Sequence, residues 1–138
     1  MNPWQNAENA LRGRMESEWD VAGVAVHYQN VTPAQQPNSP FVFFEILWGE
    51  AFKASIGSPG AELYRHPGVL MVHAFVKTNT GTKRLIEIAG RVAEIFRTQR
   101  FGGVRTETPS IGRPGPGSED GNWYRVTVSI PFTYDAIL

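Results

Sequence analysis

The chain has 138 residues, enough for one ordinary domain that buries roughly two thirds of the surface its extended form would expose. Hydrophobic residues make up 41% and charged residues 19%, and thirteen basic side chains balance thirteen acidic ones, which excludes a disordered chain and leaves no net field to draw it to nucleic acid or membrane. No cysteine is present, so disulfide frameworks, thiolate nucleophiles and thiolate metal sites are excluded, in keeping with a reducing compartment.

The N-terminus has no basic stretch followed by an apolar run, and no segment approaches the roughly eighteen apolar residues of a membrane span. The expectation is an unprocessed, cytoplasmic protein. Trp4, Ala7, Leu11, Met15 and Trp19 then recur at intervals of three and four, the period of a helix with one buried stripe, which Asn2 can cap and Pro3 can start. Val24, Val26 and Tyr28 alternate with smaller or polar residues and predict a short strand ending before the loop 32–40, where three prolines stiffen the backbone.

Phe41 to Trp48 is apolar on both alternating sets of positions, which predicts a strand covered on two sides, by its own helices or by another subunit. Ser55 to Gly60 carries turn chemistry, and Gly68 to Lys77 reads as a second apolar strand. The segments 41–54 and 63–77 are expected to pair as a hairpin with an irregularity at His66-Pro67-Gly68. From Thr82 the period changes to that of a helix, with Leu85, Ile88, Ala89, Val92 and Phe96 on one face, and Gly102-Gly103 is expected to stop it. A last hairpin runs from Val104 to about Ile111 and returns from Asn122 to Tyr134, with Tyr124, Val126, Val128, Ile130 and Phe132 on its buried side. Pro131, which cannot donate to a neighbour, is expected on a sheet edge. The fold class is α+β, a single domain over 1–138 in which a mostly antiparallel or mixed sheet of about five strands is packed by the N-terminal helix and a central helix at about 82–98.

The chemistry-bearing patterns fail one by one. The loop from Lys77 to Arg84 lies between strand and helix, but Val76 and Thr82-Lys83 stand where a phosphate-binding loop needs Gly and Lys-Ser/Thr, so it reads as a capped helix start. The glycines at 112, 115, 117 and 121 miss the dinucleotide spacing and lie within a hairpin. No nucleophile elbow and no His-Glu-x-x-His is present, and His27, His66 and His73 fall on separate elements. Glu45 interrupts an apolar run, and pairing of the two strands would bring it near His73 as a carboxylate–imidazole couple able to act as acid and base; a structural ion pair is the plainer reading.

Taken in order, an N-terminal helix, Val24-Ala-Val-His-Tyr-Gln-Asn30, the aromatic strand Phe41-Val-Phe-Phe-Glu-Ile-Leu-Trp48, Arg65-His-Pro-Gly-Val-Leu-Met-Val72, Asn79-Thr-Gly-Thr, Ala93-Glu-Ile-Phe96 and the closing Trp123-Tyr-Arg-Val-Thr-Val-Ser-Ile-Pro-Phe132 resemble the tail terminator proteins of long-tailed phages and prophages. The resemblance covers nearly the whole chain and is one of order and pattern. It implies a structural component of the virion tail, assembled in the host, that caps the finished tail tube as a ring, typically a hexamer, and presents a surface to the head–tail connector and neck proteins. It implies no catalytic residue, no cofactor and no metal. The loops 32–40, 55–61 and 112–121 are the expected contact surfaces with tube, neck and like subunits, through Pro33, Gln36, Pro37, Ser55, Pro59, Arg113, Pro114, Pro116, Glu119 and Asp120. Two other readings stand beside it: a small-ligand-binding or enzymatic domain with a Glu/His pocket, and another head–tail joining protein.

Overall fold

The computed structural model describes residues 2–33 and 37–138. Helix α1 (Pro3–Glu18) is started by a reciprocal cap: the Gln5 N–H donates to Asn2 Oδ1 and the Asn2 N–H to Gln5 Oε1, both at 2.9 Å. Ala7, Leu11 and Met15 form its buried stripe, while Trp4 at one end stays 43% exposed and sets its ring edge against His66. Strand β1 (Ala25–Tyr28) follows, then β2 (Phe41–Trp48), β3 (Phe52–Lys53), β4 (Leu63–Lys77), α2 (Lys83–Phe96), β5 (Arg100–Phe101), β6 (Val104–Thr106), β7 (Ser110–Ile111), β8 (Gly115–Pro116) and β9 (Trp123–Ile137).

These strands form one sheet in the order β1-β2-β4-β9-β6-β5, with β3 beside β4 and with β7 and β8 beside β9. Only β1 and β2 run parallel; the other pairs are antiparallel. Nine strands exceed the expected five because four of them are two-residue ladders that sequence periodicity cannot register. The spine is the fifteen-residue pairing of β4 with β9, from Leu63 opposite Ile137 to Lys77 opposite Trp123. Both helices lie on one face of this sheet, where Leu11, Met15, Leu85, Ile88, Val92 and Phe96 share a core with Val42, Phe44, Leu70, Val72, Val128, Ile130 and Phe132. The architecture is therefore the expected α+β class, with helices on one side only.

Four local expectations are corrected. The irregularity between the first two long strands lies at Gly49–Ala51: Trp48 pairs with Gly68 and Phe52 with Arg65, so one extra residue sits on the β2–β3 side while β4 runs unbroken through Pro67. The central helix ends at Phe96, and Gly102 and Gly103, with φ of 53° and 85°, instead make the tight turn joining β5 to β6. Thr82 supplies no side-chain cap to α2; the preceding loop is held by Thr80 Oγ1 donating to the Lys77 carbonyl at 2.6 Å. Pro131 is not on an edge, because β9 lies between β4 and β6. A residue's N–H and C=O point to the same side of a strand, and Pro131 O accepts from the Glu107 N–H at 2.9 Å, so its missing donor faces the gap between β6 and β7 where the ladder is already broken.

Candidate assembly surface

The fifteen-residue strands β4 and β9 give the sheet two ends roughly 45–50 Å apart, at about 3.4 Å per residue. Loop 32–40 enters β2 at Phe41, opposite Phe75, and the tip of 112–121 joins the same end, where the Thr78 N–H donates to the Asn122 carbonyl at 3.0 Å. Loop 55–61 lies at the other end, beside Leu63 and Ile137. The three loops thus do not form one surface; two flank one end of the sheet and one flanks the other.

Residue by residue, Pro33, Pro59, Arg113, Pro116, Glu119 and Asp120 are exposed, and Pro37, Ser55 and Pro114 are half-buried; Gln36 lies outside the described residues. Ser55 is a latch within its own loop. Its hydroxyl donates to Glu62 Oε2 at 2.8 Å and accepts the Leu63 N–H at 2.7 Å, while the Ser58 N–H reaches Glu62 Oε1 at 2.8 Å. Those donors, the backbone N–H of Ser58 foremost, hold the Glu62 carboxyl below its ordinary value. Asp120 is tied in the same manner, accepting from the Ser118 hydroxyl and the Asn122 N–H, and its carboxyl is likewise lowered. Both loops are therefore shaped from inside, which leaves Ile56, Pro59, Arg113, Pro116 and Glu119 to face outward.

Two features lay beyond the loop-based expectation. Toward the loop 55–61 end of the sheet lie the exposed apolar side chains Leu47, Trp48, Phe52, Ile56, Ile137 and Leu138, on both of its faces, and Ile56 is 89% exposed. Monomeric proteins rarely leave such groups together unless something covers them. The second feature is the sheet face away from the helices. There Phe41, Phe43, Glu45 and Leu47 of β2 stand beside Val69, Met71, His73 and Phe75 of β4 and Arg125, Thr127, Ser129 and Pro131 of β9, and none of these twelve is fully buried. The two-sided apolar alternation of β2 carried this signal, since this chain covers only the side of Val42, Phe44 and Ile46.

The open face is crossed by one polar row. Glu45 Oε1 lies 3.1 Å from His73 Nε2, as strand pairing implied, and Thr127 Oγ1 lies 2.7 Å from His73 Nδ1. A carboxylate can only accept, so Nε2 carries a proton, and a neutral ring then takes the Thr127 O–H at Nδ1. The order hydroxyl, imidazole, carboxylate is that of a nucleophile with its base. However, it lies flat across three paired strands, where the Thr127 carbonyl accepts the Gly112 N–H and neighbouring backbone donors serve the sheet rather than an oxyanion. It acts as a cross-strand lock. His27 and His66 contact aromatic rings instead, and among the described residues no three His, Asp or Glu side chains are grouped to hold a metal ion. No helix is long and apolar enough to cross a membrane, among the described residues.

Comparison with known proteins completes the picture. The family model described as phage tail terminator protein matches residues 6–132 of the chain. Among solved structures, one is 14% identical to this chain, the match covering 95% of this chain and 94% of that one, and superposes with a TM-score of 0.68. At that identity the likeness is one of fold. No curated protein matches the chain.

Proposed function

Since the chain belongs to the phage tail terminator family, a structural family of the virion tail, we propose that it ends tail growth by seating as a ring, six subunits around, on the finished tail tube. Once the ring covers the growing end, no equivalent site remains for another tube subunit, so occupancy alone stops polymerisation. One end of the ring meets the tube and the other meets the head–neck proteins. The separation of the outward loops to opposite ends of a long sheet supports this reading, because a cap that joins two structures needs two faces. The observation that carries it beyond family membership is the β2 strand, apolar on both sides in a chain that covers only one.

Tail tubes grown from purified tube subunits test it. Protein added in small molar excess over tube ends is expected to arrest elongation, read as tube length by negative-stain electron microscopy, and to appear as a ring at the tip. Tubes that continue to lengthen with bare ends would sink the proposal. A monomer in free solution would not, because binding to the tube can itself drive the assembly.

A further inference from the structure

On the open sheet face, a cavity of about 320 Å³ is lined by Met71, Arg113, Pro116, Arg125, Thr127 and Ser129, with Gly112 and Gly115 of the overlying arm. Its lining includes two arginines, two hydroxyl side chains and no carboxylate. Five other arginines of the chain, Arg12, Arg65, Arg84, Arg91 and Arg105, each pair with an acidic side chain of their own chain. Arg113 and Arg125, like Arg14, Arg97 and Arg100, have no such partner among the described residues. Of the carboxylates on this face, Glu45 is held by His73 and Asp135 by Arg65, so neither serves the cavity. Arginine's planar fork matches a carboxylate in two parallel hydrogen bonds, so a cavity of this composition is a seat for acidic side chains.

The complementary charge stands on the other layer of the same molecule. The last turn of α1 carries Glu16 and Glu18 and no basic residue, at the helix end whose own dipole is negative. Arg91 of α2 already holds the Asp20 carboxylate at 2.8 Å and the Glu18 carbonyl at 3.1 Å. Glu16 and Glu18 are exposed and make no ion pair among the described residues, and Glu16 lies beside the Tyr28 phenol of its own chain. A chain with thirteen charges of each sign therefore separates a basic pocket on its sheet face from an acidic helix end on its helical face. Within one molecule these cannot meet, because the sheet lies between them. In a head-to-tail ring, where one face of each subunit meets a different face of the next, they can.

Resting on the ring reading, we infer that the occupant of the Arg113–Arg125 cavity is the C-terminal end of α1 of a second copy, with Glu16 and Glu18 supplying the carboxylates. The subunit contact is then sheet face against helical face, and it covers the apolar side chains of β2 and β4 that this chain leaves open.

Two charge-reversed proteins test the inference: Arg113→Glu with Arg125→Glu, and Glu16→Arg with Glu18→Arg. All four side chains are outside the core, and circular dichroism and melting curves establish that each protein folds; Arg113→Gln with Arg125→Gln serves as a milder second variant. On tail tubes of the same phage, intersubunit cross-links are read by mass. Each reversed protein alone is expected to lose cross-linked rings by roughly tenfold or more, since like charges then meet at every contact. An equimolar mixture is expected to restore them, because acidic sheet faces meet basic helical faces and the reverse; a single chain carrying all four changes does the same for any subunit number. Rings formed normally by the Arg113→Glu, Arg125→Glu protein would overturn the inference. Loss without restoration in either rescue would overturn it as well, assigning the cavity to a tube or neck carboxylate instead. Wild-type protein that gives no cross-linked ring at tube ends sinks the ring reading itself, a distinct outcome.

Discussion

Glu62 shows how one side chain can set the shape of a loop. It is 6% exposed, carries a charge, and receives Ser55 and Ser58 as donors, so its ionised form is what closes 55–61. Its carboxyl titrates below the ordinary 4.5, and that of Asp135 falls below 3.8, chiefly through the paired hydrogen bonds of Arg65 at 2.8 and 3.0 Å. A carboxylate whose folded-state pKa is depressed contributes stability above its unfolded value, and that contribution is lost as pH falls through the folded value. The melting temperature is therefore expected to drop as pH falls from about 4.5 downward, and Glu62→Gln is expected to flatten that acid limb while lowering the plateau at neutral pH. Thr106 is a second such residue, wholly buried. Its hydroxyl donates to the Phe96 carbonyl at 2.5 Å and accepts the Gln99 N–H at 2.9 Å, closing the exit of α2. Thr106→Val keeps the shape but orphans both backbone groups, so urea unfolding is expected to show a loss of about 1–3 kcal/mol. The Glu45–His73 pair is largely covered, at 29% and 13% side-chain exposure, but Glu45→Gln keeps an acceptor for His73 and is expected to shift stability by only about 1 kcal/mol; a much larger loss would contradict its reading as a simple cross-strand lock.

At the scale of elements, the contacts between sheet and helices decide stability, and α1 is the more dependent of the two helices. Its buried stripe is only Ala7, Leu11 and Met15, against seven buried residues on α2. Leu11→Ala removes the centre of that stripe and is expected to cost about 2–5 kcal/mol, read by urea denaturation, with α1 amides losing exchange protection first. The β2-β4-β9 crossing has no room to spare at Gly68. A Cβ there would stand 2.6 Å from Phe132 Cζ and 2.9 Å from the Leu47 carbonyl oxygen, on two different strands. Gly68→Ala is accordingly expected to destabilise by roughly 1–3 kcal/mol, because relief requires moving a buried ring or a paired backbone. Gly68 thus explains a glycine inside an apolar strand that composition alone would read as a weak point.

For the molecule as a whole, the helices cover one face of the sheet and leave the other, together with an apolar end, to be covered from outside. Membership of the tail terminator family supplies the setting in which such a surface has a use. The expected arrest of tube growth and the mixed-charge assembly are both properties of this arrangement and not of any single group. Glu45→Gln keeps the size of that side chain and its contact with His73, so arrest of tube growth is expected to persist, whereas an enzymatic role centred on the carboxylate predicts loss of function from the same change.

Periodicity alone located both helices, β2 and the long β4 and β9, because burial on one side imposes a repeat of 3.6 or two that survives in the order of residues. It also marked β2 as covered twice, and it placed Glu45 near His73 once hairpin pairing was assumed. What it could not yield were the contacts that depend on distant segments. The parallel pairing of β1 with β2, the interior place of Pro131, the shift of the bulge to Gly49–Ala51 and the placing of Arg113 and Arg125 on one cavity depend on pairing between separate segments, and no local pattern records them. The loops were legible as exposed turn chemistry. Which of them share an end of the sheet was fixed only when fifteen paired residues of β4 and β9 set the distance between those ends.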